Sequence, residues 1–209
     1  MSNFLQKRKS EFFYRKAKAE KYRARSAYKL LELQKKFHII KPGDVVVDLG
    51  AAPGSWSQVA LQFAGKNGIV IGVDIKPVIR LKGNYVFVLG DVFKESTIEK
   101  LSQVMPKLAN VVLSDMAPEF SGIRTKDIGM AMQLSFRALE IAKKFLKEGG
   151  IFVVKTFRGP DYADFISNVK ENFKIVKEVK PSASLKKSAE IYIVALQFKK
   201  GKQLTKRKG

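Results

Sequence analysis

Short apolar runs, rich in β-branched residues, recur along the chain between longer stretches of mixed polarity. Five of them cover 45–49, 69–73, 86–89, 111–113 and 151–154. Continuous apolar runs of this length are typical of parallel strands that are buried on both faces, and the stretches between them are long enough for crossover connections. Two closing strands are predicted at 174–179 and 191–198. The pattern therefore predicts one doubly wound α/β domain, in which helices alternate with the strands and cover both faces of a mostly parallel, seven-stranded sheet.

The segments between the strands carry apolar residues at helical spacing. The stretch 26–37 is predicted to be a helix, with Ser26 in the position of an N-cap. The longest helix is predicted over 125–147, because lysines occupy its last turns and Gly149 follows it. Shorter helices are predicted at 57–63 and 161–172.

Polar residues follow the predicted strands at their carboxyl ends, where ligands bind in open α/β sheets. Four consecutive strands end in an acid and the fifth ends in a lysine: Asp48, Asp74, Asp91, Asp115 and Lys155. Asp74 lies 20 residues after Gly54, close to the spacing at which an acid accepts the hydroxyls of a ribose. Each acid taken singly is equally typical of a helix cap or a turn. Together they favour an adenosine-containing cofactor.

The turn after the first strand reads DLGAAPGSW over residues 48–56. A buried strand, a glycine-containing turn and a helix form the arrangement in which backbone N–H groups receive a nucleotide-like ligand. Gly50 and Gly54 allow positive φ angles and the close approach of a ligand. The dinucleotide fingerprint G-x-G-x-x-G is not present, since Ala52 stands where its second glycine would be. An ordinary corner between a strand and a helix is the alternative for these residues alone.

The chain has 209 residues, with 40 Lys and Arg against 19 Asp and Glu, and its formal net charge is +21. The first 29 residues carry ten basic and two acidic side chains, and residues 198–209 carry six basic and no acidic ones. Basic ends with interspersed aromatic residues favour a nucleic acid as partner over a merely solvated surface or a membrane-surface helix. Residues 6–23 are accordingly interpreted as a charged helix or as a tail that orders on RNA. The predicted organisation is a basic N-terminal extension (1–25), a catalytic domain (26–198) and a basic C-terminal tail (199–209).

Cysteine is absent and histidine occurs once, as His38. Disulfides, thiolate nucleophiles and cysteine-bound metals are thereby excluded, and histidine-based triads and metal sites are disfavoured. We expect no metal requirement, and we interpret His38 as a helix-end residue without chemistry. No apolar run approaches the roughly 18 residues of a membrane span, and no secretory signal is visible near the N-terminus. The expected location is the cytoplasm, without membrane attachment.

Seven segments carry a resemblance to a known family, in the family's own order: SAYKLLELQ, VVDLGAAPGSWSQ, VDIKP, GDV, VVLSDMAP, GGIFVVKTF and SAEIYIVA. They run from residue 26 to residue 198, about four-fifths of the chain. On these motifs the chain resembles the FtsJ (RrmJ) heat-shock family of RNA methyltransferases. The resemblance implies a Rossmann-like class I methyltransferase fold, S-adenosylmethionine as the cofactor, and methyl transfer to a ribose 2′-hydroxyl of RNA.

The same resemblance implies the residues of the site. The family's Lys-Asp-Lys-Glu catalytic tetrad falls on Lys29, Asp115, Lys155 and Glu190. The implied cofactor contacts are Gly54, Trp56, Asp74, Asp91 and Asp115. Ordinary packing is the alternative role for Trp56. Ser55 departs from the bacterial members of the family, which commonly have a second glycine at this position.

A ribose hydroxyl is a poor nucleophile until its proton leaves, so the protein has to position the hydroxyl and accept a proton. Lys155 is the candidate for this role. Lys29 and burial favour its free amine, whereas Asp115 and Glu190 favour its charged form. Two interpretations stay open: Lys155 removes the proton as a free amine, or it orients the hydroxyl while Asp115 helps to accept the proton.

The leading substrate is ribosomal RNA of the large subunit, with a uridine of 23S-type RNA as the target, because this is the usual target of the family's bacterial-type members. A transfer-RNA anticodon-loop ribose methyltransferase of the same fold is the alternative within the enzyme class. A non-catalytic, RNA-binding ribosome assembly factor is the alternative from another class. A small-molecule methyltransferase is disfavoured by the charge of +21. We expect the protein to be a monomer.

Overall fold

The computed structural model describes residues 2–119, 121–184 and 189–199, without the side chains of residues 2–10. Its helices are α1 (Ser2–Ala19), α2 (Ala27–Phe37), α3 (Ser55–Ala64), α4 (Glu95–Val104), α5 (Arg124–Phe145) and α6 (Tyr162–Asn172). Its strands are β1 (Val45–Leu49), β2 (Ile69–Asp74), β3 (Tyr85–Leu89), β4 (Ala109–Ser114), β5 (Leu146–Phe157), β6 (Phe173–Val179) and β7 (Glu190–Phe198).

The seven strands form one sheet in the order β3-β2-β1-β4-β5-β7-β6. The pairs from β3 to β5 are parallel, whereas β7 is antiparallel to both of its neighbours, β5 and β6. Successive strands are added on one side of β1 up to β3 and on its other side from β4 onward. This change of side between β1 and β4 creates the crevice in which α/β proteins bind their ligands. The predicted fold class, a mostly parallel seven-stranded sheet, is confirmed.

Helices cover both faces of the sheet, as predicted. Residues of β1 alternate between the two sides: Val45 and Val47 pack in the cluster that contains α4, α5 and α6. Val46 packs in the opposite cluster, with residues of α2 and α3. Every residue of β1 is buried, which is the expected state of a central parallel strand. The carboxyl end of β1 is thus held rigidly between two layers of helices.

The prediction of one long helix over 125–147 was wrong at its C-terminal end. The helix ends at Phe145, and Leu146, only 1% exposed, already pairs with Ala109 of β4. Lys147 therefore lies in β5, and Gly149 makes a bend with a φ of +76° inside the strand rather than capping the helix. Leu146 pairs with the sheet instead of continuing the helix. The helical spacing of apolar residues could not predict this, because it carries no information about a strand that begins immediately after the helix.

Ser26 occupies the N-cap position of α2, as predicted, but its side chain makes no capping hydrogen bond, since its Oγ lies 2.7 Å from Ser55 Oγ on α3 and its backbone is already helical. Another local prediction was wrong. Helices do not alternate with strands throughout, because the crossover from β2 to β3, residues 75–84, contains no helix. That crossover instead runs along α3, where Leu61 lies next to Gly83.

The N-terminal residues are joined to the domain by contacts of α1 and of the turn that follows it. Ala17 packs with Tyr28 of α2 and with Ala183 in a small separate cluster. After α1, the backbone N–H of Arg23 donates to Gln58 of α3. The N-terminal extension is therefore helical up to Ala19 and contacts the domain at a few positions, although most side chains of residues 11–20 are exposed. Residues 200–209 of the predicted C-terminal tail lie outside the described residues.

Candidate active site

Four parallel strands bring their carboxyl ends together at one edge of the sheet. The turn after β1 is bonded to β2, because the N–H of Gly50 donates to Val73 O at 2.9 Å. The residue after β4 is bonded to β1, because the N–H of Asp115 donates to Leu49 O at 3.2 Å. These backbone bonds hold the strand-end side chains at fixed positions, since they belong to the sheet and not to free loops.

The four residues predicted as the tetrad come together as two ion pairs. Lys155 Nζ lies 3.0 Å from Asp115 Oδ1 and donates to the backbone oxygen of Asp115 at 2.5 Å. Lys29 Nζ lies 2.6 Å from Glu190 Oε1. Each lysine is only 9% exposed. Lysines at this depth are rare without a partner, so both pairs hold their cations in a defined place.

Tyr192, for which the sequence predicted no role, links the Lys155–Asp115 ion pair to the Lys29–Glu190 ion pair. Its hydroxyl donates to Asp115 Oδ1 at 2.7 Å, and Lys29 Nζ lies 5.5 Å from the centre of its ring. In the register of the sheet, Tyr192 of β7 faces Lys155 of β5. Burial raises the pKa of Tyr192, and the nearby carboxylates of Asp115 and Glu190 raise it further. The phenol therefore stays neutral and acts as a hydrogen-bond donor to Asp115.

A cavity of about 330 Å³ opens beside the tetrad, and Asp115 lines it. Asp74 and Asp91 line it as well, so three of the four strand-end acids meet there. Apolar side chains complete the wall: Val73, Ile75, Val92, Met116 and Leu134. An apolar slot with a few convergent carboxylates is suited to an aromatic base whose attached sugar and amine donate hydrogen bonds.

The predicted ribose-binding acid, Asp74, is oriented by the backbone. Its Oδ2 accepts the N–H of Ala52 and its Oδ1 accepts the N–H of Lys76, both at 2.8 Å. Each oxygen keeps a second lone pair for a ligand hydroxyl. Asp91 is held in the same way, with Oδ1 accepting the N–H of Phe93 at 3.0 Å. The carboxylates are thus pre-positioned for a ligand with neighbouring hydroxyl groups.

Gly50 lets two segments of the chain pack closely at the floor of the cavity. Its φ is +77°, and a Cβ at this position would lie 2.7 Å from Met116 Cγ and 2.9 Å from the backbone nitrogen of Met116. Only glycine satisfies both conditions, since a side chain would be strained by the φ angle and would collide with the chain after β4. The missing side chain therefore allows Met116 to pack directly against the turn, and both Gly50 and Met116 line the cavity.

The structure does not bring Gly54 and Trp56 to this cavity. Trp56 is 2% exposed, donates from Nε1 to Ser26 O at 2.9 Å, and packs on Tyr192 with ring centres 5.7 Å apart. Gly54 has a φ of +108° and precedes α3, where a Cβ would lie 2.8 Å from Arg23 Nη1. Both residues support the turn from behind, and their contact with a cofactor stays a prediction.

Asp48, the fourth strand-end acid, lies inside the protein rather than in the cavity. It is fully buried, and its Oδ2 accepts the hydroxyl of Ser57 at 2.6 Å, while Oδ1 has no hydrogen-bond partner among the residues that the structure describes. Burial raises the pKa of Asp48 to about 7, and the charges of Asp115 and Asp74 act in the same direction, against the hydrogen bond from Ser57. Asp48 therefore acts as a buried acid that fastens β1 to α3.

The part of the chain that the structure describes contains neither a candidate metal site nor a helix that could span a membrane. No group of three or more acidic or histidine side chains is placed to hold a metal ion. No described helix combines the length and the apolar character needed to cross a membrane.

Comparisons with known proteins agree with this geometry. The FtsJ-like methyltransferase family matches residues 22–198. The chain is 49% identical over 184 residues to the ribosomal RNA large subunit methyltransferase E of Methanothrix thermoacetophila, covering 88% of this chain and 71% of that protein. It is 45% identical over 192 residues to the protein of the same name from Acinetobacter baumannii, covering 91% and 88%.

Two solved structures of other proteins also resemble this chain. A ribosomal RNA methyltransferase from Plasmodium falciparum superimposes with a TM-score of 0.76 at 31% identity, covering 85% of this chain and 98% of that one. Aeropyrum pernix fibrillarin, solved with S-adenosylmethionine, has a TM-score of 0.60 at 19% identity over 82% of this chain and 76% of that one, and shares the fold. With the family match and the carboxylate-lined cavity, the chain belongs to the FtsJ-like methyltransferase family and is an enzyme that uses S-adenosylmethionine as its methyl donor.

Proposed function

We propose that the enzyme methylates a ribose 2′-hydroxyl of large-subunit ribosomal RNA, with a uridine of 23S-type RNA as its target. The observation that carries the proposal is the position of Asp115, which lines the cofactor cavity and also forms the ion pair with Lys155. The substrate assignment is supported by relatives at 41–49% identity that are named for ribosomal RNA of the large subunit.

Asp74 and Asp91 hold the cofactor in this proposal, through hydroxyl and amine groups that donate to their carboxylates. Gly50 allows Met116 to pack against the turn at the floor of the cavity, and the apolar wall of the cavity receives the base. When bound, S-adenosylmethionine supplies a methyl group that is already activated by its sulfonium. The remaining task of the protein is to place the ribose oxygen in line and to remove its proton.

Lys155 and Asp115 perform this task together. Two of the three Nζ donor positions of Lys155 are used by Asp115, which leaves one for the ribose oxygen. The described contacts of the Asp115 carboxylate both fall on Oδ1, so Oδ2 remains to accept the hydroxyl proton. As the ribose oxygen acquires the methyl group, its proton passes to the Lys155–Asp115 pair and from there to solvent.

Lys29 and Glu190 form the outer wall of the same site. Their side chains are 11% and 14% exposed, so the pair is close to the surface without being free in solvent. Lys29 contacts the Tyr192 ring, whose hydroxyl holds Asp115. We infer that the Lys29–Glu190 pair keeps Tyr192 and Asp115 in place and offers the ribose of the substrate a charged neighbour.

We also propose the wider organisation of the protein. Residues 1–25 and 199–209 act as basic extensions that bind RNA, and residues 26–198 form the catalytic domain. The enzyme works as a monomer in the cytoplasm, and sedimentation at micromolar concentration tests the monomer. The RNA-binding role of the extensions is supported by the concentration of basic residues at both ends of the chain.

The test is methyl transfer from labelled S-adenosylmethionine to undermethylated large ribosomal subunits and, separately, to unmodified transfer RNA. Lys155→Ala is compared with Lys147→Ala, which removes an exposed lysine from the same strand. We expect label in large-subunit RNA that is lost with Lys155→Ala and retained with Lys147→Ala. Label only in transfer RNA would support the alternative, a transfer-RNA anticodon-loop ribose methyltransferase. Binding of both RNAs with no transfer to either would support the non-catalytic assembly factor instead.

A further inference from the structure

A second concave surface lies along the outer side of α3, away from the cofactor cavity. It is bounded by the turn after α1, by the end of α3 and by the 75–84 crossover, and it encloses about 720 Å³. We call it the α3 groove. Its charged lining residues are Glu20, Lys21, Arg23, Lys66, Arg80 and Lys82. It shares no lining residue with the cavity that contains Asp74, Asp91 and Asp115.

The α3 groove exists because the 75–84 crossover has no helix. A helical crossover would cover the outer side of α3, whereas this extended segment leaves a channel beside it. Glycines stand on both sides of the channel, Gly65 after α3 and Gly83 before β3, with φ angles of +67° and +115°. No side chain projects from either position, so the channel stays open.

Two of the six charged lining residues are committed to the protein itself. The guanidinium of Arg23 donates to three backbone oxygens, those of Pro53, Ile79 and Arg80, at 2.6–3.1 Å. The only acid, Glu20, accepts the hydroxyl of Tyr28 at 2.9 Å. The charge of Glu20 is also opposed by Lys16, whose Nζ lies 3.8 Å from Glu20 Oε1 and which does not line the groove. Arg23 is held in place by its bonds to the backbone.

The other four residues, Lys21, Lys66, Arg80 and Lys82, are exposed cations. Among the described contacts, none of these four side chains forms an ion pair. Like charges lining one concave surface repel one another and concentrate anions there. A lone surface lysine needs no explanation, but four cations converging without an acid partner indicate an anionic ligand of extended shape.

We propose that the α3 groove binds the sugar-phosphate backbone of the RNA substrate and anchors it outside the reaction centre. The inference rests on the proposed function, in which RNA is the substrate. RNA fits the groove better than a membrane does, because the lining presents charges and no broad apolar face. Arg23 joins the groove to the cofactor turn through Pro53 O, so RNA in the groove lies alongside the turn that leads to the active site.

The test compares two triple variants with equal loss of charge. Lys66→Gln/Arg80→Gln/Lys82→Gln removes three of these four groove cations and leaves Lys21, Arg23 and the active site intact. Lys147→Gln/Lys174→Gln/Lys177→Gln removes three exposed lysines on β5 and β6, which lie toward the other end of the sheet. Filter binding of an unmodified large-subunit ribosomal RNA transcript is measured from 50 to 300 mM salt, together with kcat and KM for methyl transfer.

We expect the groove variant to bind the transcript about tenfold or more weakly at moderate salt, with the slope of log K against log salt reduced by about 2–3. Its kcat at saturating RNA stays at the wild-type value, because no group at the reaction centre is altered. The control triple variant changes affinity and slope by much less. Thermal melting and cofactor affinity equal to wild type exclude misfolding as the cause.

Equal loss of affinity in both triple variants, or an unchanged slope in the groove variant, would overturn the inference. A loss of kcat without loss of affinity would also overturn it. Failure of the proposed function is a separate outcome: the wild-type enzyme would then transfer no methyl group to large-subunit RNA, whereas the binding measurement on the transcript would still decide whether the groove holds RNA.

Discussion

Asp115 joins the two halves of the site in a single residue. It lines the cofactor cavity, pairs with Lys155 and accepts the hydroxyl of Tyr192. Its place immediately after β4 is fixed by a backbone bond to Leu49 of β1. A carboxylate with two donors on one oxygen and a cavity beside it is well placed to receive a ligand proton, because its orientation is set before substrate arrives.

Tyr192→Phe tests this orientation. The change removes one hydrogen bond to a charged carboxylate, worth about 1.5–3 kcal/mol, and leaves the ring in place against Trp56 and Lys29. We expect kcat to fall about tenfold while KM for S-adenosylmethionine stays near the wild-type value. The matched control is Tyr14→Phe on the exposed side of α1. A variant with wild-type kcat would mean that the Tyr192 hydroxyl does not position Asp115.

The buried carboxyl of Asp48 is expected to make the stability of the protein depend on pH. Its pKa is raised to about 7 in the folded protein, above the unfolded value of about 3.9. The unfolded carboxyl ionises first as pH rises, so the contribution of Asp48 to stability is fully present below about pH 4 and is lost as pH approaches 7. Relative to Asp48→Asn, we expect the wild type to lose up to about 4 kcal/mol of unfolding free energy over that interval.

Urea denaturation of both proteins between pH 4.5 and 8 measures this difference. Asp48→Asn keeps the shape of the side chain and cannot ionise, so it isolates the titration from the packing. Parallel stability curves for the two proteins would show that Asp48 titrates at its ordinary value and that the buried position does not hold it neutral.

At the scale of elements, the turn between β1 and α3 controls access to the cofactor. Gly50 and Gly149 share nearly the same φ, +77° and +76°, but a Cβ at Gly149 meets nothing within 4 Å. Gly149→Ala therefore introduces only the strain of a positive φ angle. We expect it to lower the free energy of unfolding by about 1 kcal/mol and to retain activity. Gly50→Ala adds the collision with Met116, and we expect a larger loss of stability together with at least tenfold weaker cofactor binding.

Calorimetric titration with S-adenosylmethionine and thermal melting separate these effects. If Gly50→Ala bound the cofactor as tightly as Gly149→Ala, the floor of the cavity would be able to move, and the argument that only glycine fits at position 50 would be wrong.

The strands were predictable from the sequence because central parallel strands are apolar throughout, as in β1, and their acids fall at a shared edge. The boundary after Phe145 was not, since Leu146 joins the sheet through pairing with the distant Ala109. Tyr192 was missed for the same reason: only the register of β5 with β7 places it opposite Lys155. A signal was present, because Tyr192 lies two residues after Glu190 and alternate residues of a strand share a face.

The cofactor turn shows the limit of reasoning from a motif. Gly50 and Ala52 of DLGAAPGSW line the cavity, whereas Asp48 and Gly54 do not. The motif does not state which of its residues face the ligand, however. Trp56 is buried against Tyr192 and Ser26 because α3 turns that side of its first turn toward α2.

At the scale of the whole molecule, the fold and the surface charge have separate roles. The sheet fixes the reaction centre at one edge, while the net charge of +21 is placed on the basic ends, the α3 groove and the remaining surface. Electrostatic attraction of this kind supplies affinity without base recognition. We therefore assign the affinity for RNA to the charged surface, and the choice of the reacting atom to Lys155 and Asp115.

In the proposed reaction the methyl group goes to a ribose oxygen of large-subunit ribosomal RNA. Mass spectrometry of the nucleosides released from undermethylated large subunits, after reaction with the wild-type enzyme and S-adenosylmethionine, tests this directly. We expect 2′-O-methyluridine at one site in large-subunit RNA, with no gain of a base-methylated nucleoside. A methyl group on a base would show that the proposed reaction is wrong.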